Sequence, residues 1–124
     1  CGDGGCAARV DAALAQAERL ERARNAAPAN LYEAWRWLRR ARGYALSSGS
    51  GEVAARVEAR LAAVEAELDR RCAALEFAGA RHLALADRAG AARVAGEMLR
   101  AFPGDEHGCR ASGERLRALA EGGG

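Results

Sequence analysis

The sequence predicts an all-α fold of antiparallel helical hairpins built around one long central helix. Three observations carry this. Ile and Thr are absent from the 124 residues, which removes two of the main strand formers. Residues 52–86 contain no Pro and a single Gly, Gly79, and their larger side chains recur at intervals of three and four. Turn signals at Ala26-Ala27-Pro28-Ala29, at residues 47–51 (SSGSG) and at Phe102-Pro103-Gly104-Asp105 cut the remainder into short periodic segments.

The first segment, 1–6, is a leader rich in Gly and Cys. One all-helical domain is expected over 7–121, with 122–124 as a frayed tail. Helix 7–25 carries Val10, Leu14, Ala17 and Leu20 or Glu21 on a narrow stripe, and Glu18 precedes Arg22 by four residues, the favourable order for an ion pair. Asn30 is expected to cap helix 31–47, with Glu33 completing a capping box. In that helix Leu31, Ala34, Trp35, Leu38, Ala41 and Ala45 face inward, and Trp37 and Tyr44 widen the apolar arc. An arc so broad predicts neighbours on two sides.

Helix 52–86 shows its stripe at Val53, Val57, Leu61, Val64, Leu68, Cys72, Leu75, Ala78, His82 and Leu85. It is long enough to serve one set of neighbours with its first half and another with its second. At ~1.5 Å per residue it would run about 52 Å, or else bend near Gly79. Asp87 is expected to cap helix 88–102, whose Val94, Ala95, Met98 and Leu99 face in. A last helix, 106–120, carries Leu116 and Leu119.

Composition narrows the functional classes. The 33 Ala residues imply a core made by close helix contacts with few large side chains. All 19 cations are Arg, which, with the Ala and Gly excess, reads as the codon bias of a GC-rich, bacterial genome. A formal charge of +2 gives no support to a nucleic-acid partner. Arg36, Arg39, Arg40 and Arg42 interleave with Trp35, Trp37 and Tyr44, but Trp35 falls on the inward face, and a solvated basic edge beside a core stripe accounts for the run. No apolar run approaches the ~20 residues of a membrane span.

Between Cys72 and Asp105 the spacing Leu75-x2-Ala78-Gly79-x2-His82, then Ala91-x3-Ala95, then Pro103, resembles one degenerate tetratricopeptide repeat of about 34 residues. Gly79, Ala91 and Pro103 match its small, small and terminating positions. Leu75, Ala78, His82 and Ala95 depart from its preferred Trp, Leu, Tyr and large residue. Residues 31–45 resemble the second helix of a weaker unit. The resemblance implies a stack of hairpins, or failing that an irregular bundle, that binds a protein or peptide on the face lined by Glu76, Ala80, Leu83, His107, Arg110 and Glu114. It also implies that Cys72 and Cys109 lie at corresponding ends of parallel helices, within reach of a disulfide. The alternative is that both are small buried hydrophobes.

Cys1 at the first position resembles the start of a mature bacterial lipoprotein, whose cysteine thiol carries lipid. That implies the cell envelope, with the membrane met only through the lipid; a fragment of a larger protein would instead be cytoplasmic. A zinc site from Cys72, His82, His107 and Cys109 lacks the paired spacing of structural zinc modules, so no metal or cofactor is expected. There is no Lys and no Ser/His/Asp or Cys/His spacing that folding would obviously unite. The reading is therefore a non-catalytic interaction or scaffolding domain. The alternatives are a Cys/His redox- or metal-responsive module, and a homo-oligomer paired through the Val57 to Leu68 stripe.

Overall fold

Helical periodicity becomes five helices in the computed structural model, which describes Cys1 and residues 5–122. They are α1 (Gly5–Arg22), α2 (Asn30–Ser48), α3 (Gly51–Ala84), α4 (Arg88–Ala101) and α5 (Cys109–Gly122), and no strand occurs among the described residues. Positions 2–4 of the leader and 123–124 of the tail lie outside the described residues. The chain's length suits one domain; its contacts group into two compact units, Cys1–Glu67 and Leu68–Gly124, divided within α3. So long a helix offers two separate stretches on which other helices can pack.

In the N-terminal unit, α1 starts at Gly5, ahead of the predicted Ala7, and buries Cys6, Val10, Ala13 and Ala17. Leu14 is only partly buried, so small side chains, with no bulk to hold helices apart, line this contact. Val10 and Ala13 meet Ala41 and Ala45 of α2 and Val57 of α3, flanked by Trp37, Tyr44 and Val53. The Glu18–Arg22 pair forms at 2.6 Å. Two half-buried ion pairs, Arg24–Glu67 and Arg60–Glu21, tie the end of α1 and its turn to α3.

Asn30 is not the cap of α2. Ala29 holds that position without a side-chain hydrogen bond, and Asn30 is already helical. Its Nδ2 donates instead to the Ala23 carbonyl at 2.7 Å, satisfying the turn after α1. Val57, Leu61, Val64 and Leu68 are all buried within this one chain, each 4 % exposed or less. The stripe proposed to pair two copies is thus already covered.

In the C-terminal unit, α4 buries Ala91, Val94, Ala95, Met98 and Leu99, and α5 buries Cys109, Gly113, Leu116 and Ala120. A Cβ added at Gly113 would stand 3.0 Å from the Met98 Cβ, so glycine sets how closely α4 and α5 approach.

α3 passes Gly79 without a break and stops at Ala84, two residues before the predicted end. Ala86 adopts φ 58°, and the turn closes by Ala86 N–H to the Leu83 carbonyl at 3.0 Å and Asp87 N–H to the His82 carbonyl at 2.8 Å. This is the helix-ending loop in which glycine is favoured at the left-handed residue. Ala86→Gly should therefore raise the unfolding free energy by about 0.5–1 kcal/mol, the relief of left-handed strain less the added freedom of the unfolded chain. Urea titration measures it, and an unchanged midpoint would refute strain at Ala86.

Candidate functional site

Glu76, Ala80 and Leu83 are spaced by four and three residues and share a face of α3. Ser112, Arg115, Leu116 and Leu119 do the same on α5. These two rows, with Met98 of α4, line a groove of about 200 Å³. Met98 and Leu116 are buried, whereas Leu119 is 62 % exposed. Glu76 and Arg115 supply the charged lining, and Arg115 Nη2 donates to Ser112 Oγ at 3.0 Å. There is no His, Cys or Lys among the lining residues. The groove can seat apolar side chains between a carboxylate and a guanidinium.

Two contacts set the register of α3 against α5. A disulfide joins Cys72 to Cys109, with Cα atoms 5.8 Å apart and a sequence separation of 37. Gly79 is faced by Leu116, whose side chain fills the space a Cβ would need. Those residues too are 37 positions apart (116 − 79). Gly79 therefore admits α5.

That offset divides the predicted binding set. Glu76, Ala80 and Leu83 line the groove, whereas His107, Arg110 and Glu114 do not. The repeat resemblance placed those three on the same face; the opposite wall is instead Ser112, Arg115, Leu116 and Leu119. His107 serves the turn itself. Its Nε2 lies 2.8 Å from Asp69 Oδ1, its Nδ1 accepts the Cys109 N–H at 3.0 Å, and its ring lies 4.7 Å from that of Phe102. Arg110 donates to the Phe102 carbonyl at 3.3 Å and pairs with Glu114 at 3.3 Å. Leu116 and Leu119 were visible as apolar positions; their partners across the groove could be found only from the Cys72–Cys109 register.

His82 belongs to the α3–α4 junction. Its Nδ1 lies 3.0 Å from Asp87 Oδ2, while Asp87 Oδ1 accepts the Gly90 N–H at 2.9 Å and caps α4. The Gly90 N–H, and then His82, hold the Asp87 carboxyl below its ordinary range. A Cβ at Gly90 would collide with both His82 Nδ1 and Asp87 Oδ2, so this cap requires glycine there. Nothing in the sequence spacing pointed to Gly90.

Cys72, His82, His107 and Cys109 do not assemble the weighed zinc site: the cysteines are bonded to each other and the histidines face different aspartates. Among the described residues no three His, Cys, Asp or Glu side chains gather to hold a metal ion. Cys1 is bonded to Cys6, with Cα atoms 5.1 Å apart. A thiol so bonded cannot carry lipid, so this bridge and lipidation of Cys1 exclude each other. No described helix is long and apolar enough to cross a membrane.

The fold and groove thus define an all-α protein with an apolar cleft between parallel-registered helices. No protein-family model, curated protein or solved structure matches the chain.

Proposed function

We propose that the chain is a non-catalytic protein-interaction module that binds a peptide segment in the α3–α5 groove, with tetratricopeptide-like hairpin packing in its C-terminal unit. One observation carries this: Ala80, Leu83 and the largely exposed Leu119 stand over a floor of Met98 and Leu116, with opposite charges in the lining. Apolar side chains left open to water in a concave surface gain by being covered.

The test is selection of binding peptides from a displayed random library. Leu119→Glu and Ala80→Glu should each weaken the selected peptides at least tenfold, roughly the loss of one buried apolar side chain. Leu85→Glu, at a residue 67 % exposed and outside the groove, should leave affinity unchanged. Peptides indifferent to both groove substitutions would sink the reading.

A further inference from the structure

A second surface lies on α2, in the N-terminal unit. Arg36, Arg39 and Arg40, Gly43 and Leu46 succeed one another at three- and four-residue spacings and so share one side of the helix. With Arg42, the three other arginines line a hollow of about 280 Å³. Arg39 stacks over Trp35 at 4.8 Å and Arg40 over Trp37 at 4.5 Å. Helical spacing places each guanidinium on its indole, where the ring's negative face holds it. Glu33 and Glu58 pair with Arg36 and Arg42 at the edges. Arg39 and Arg40 have no carboxylate partner among the described residues.

We propose that this face docks an acidic amphipathic helix of a partner protein. Its carboxylates, one turn apart, meet Arg36, Arg39 and Arg40, and an apolar residue further along covers Leu46. Carboxylates repeating on a helix have the same spacing as the arginines that would receive them. Guanidinium groups already held on indole rings lose little freedom on binding, and their forked donors suit carboxylates. A Cβ at Gly43 would meet nothing within 4 Å, so a partner's backbone finds room there. Leu46, 65 % exposed, calls for an apolar cover that a sugar–phosphate chain lacks. No residue of α2 lines the α3–α5 groove, so this surface stands or falls independently of the function proposed above.

The probe is a synthetic helical peptide with Glu at i, i+3 and i+4 and Leu two turns on, followed through Trp35 and Trp37, the chain's two tryptophans. It should bind at least tenfold tighter than its scrambled counterpart and weaken as salt is raised. Arg39→Gln and Arg40→Gln should each weaken it about fivefold, the upper range for an exposed ion pair. Gly43→Leu, with helicity confirmed by circular dichroism, should lose tenfold or more. Equal binding of the scrambled peptide, or unchanged binding by Gly43→Leu, would overturn the proposal. So would tighter binding of a single-stranded oligonucleotide or of phosphatidylglycerol vesicles.

Discussion

Replacing Cys72 and Cys109 together by Ala should lower the stability of the C-terminal unit by about 4 kcal/mol. The bond closes a loop with a sequence separation of 37 residues. Closing a loop of that length restricts the unfolded chain by about 13 cal/mol/K, near 4 kcal/mol at room temperature. Two circumstances keep this effect from being absorbed elsewhere. Both cysteines are buried, so the bond is part of the packing as well as a tether. The large buried side chains of this unit are also few: Leu68, Met98, Leu99, Phe102 and Leu116. Urea denaturation followed by far-ultraviolet circular dichroism measures the change, and the parent protein treated with a dithiol should shift in the same direction. A loss below about 1 kcal/mol would show that the helices hold their places without the tether.

Phe102→Ala should cost about 3–5 kcal/mol. The ring is fully buried and lies against His107. The Phe102 backbone ends α4 by donating to the Met98 carbonyl at 2.9 Å, and its own carbonyl accepts from Arg110. Truncation would leave a cavity under the α4–α5 turn and remove the surface on which His107 rests. The chain's other phenylalanine supplies the control. Phe77 is 72 % exposed, and Phe77→Ala should change stability by no more than about 0.5 kcal/mol. Thermal denaturation of the two variants side by side separates them; equal losses would contradict the burial of one and the exposure of the other.

These two phenylalanines show where the sequence was legible and where it was not. The middle of the long stripe was readable because burial repeats with the helix: Val57, Leu61, Val64, Leu68 and Cys72 fall where the period puts them, and all are buried. Val53, Leu75, Ala78 and His82 are only partly covered, and Leu85, past the end of α3, is 67 % exposed. Phe77 lies off that line and is exposed. Phe102 lies after the last turn of α4, where no period applies, so its burial depends on a tertiary contact. Caps divide in the same way. Asp87 was readable because its acceptor faces its own helix, whereas Asn30 looked equivalent but found a carbonyl of the preceding turn.

Half of the candidate site was legible for a related reason. Glu76, Ala80 and Leu83 sit on one uninterrupted helix, where spacing alone places them on a common face. Their opposite wall depends on how α5 lies against α3, which spacing within one helix does not fix. Gly90 was missed because its need for a bare Cα comes from His82, eight residues earlier and on another helix. Glycines that make room for a distant side chain leave no local mark.

The tether to Cys72 grips α5 at its first residue, Cys109, thirteen residues before Gly122. Unzipping should therefore be directional, with amide exchange fastest near Gly122 and slowing toward Cys109.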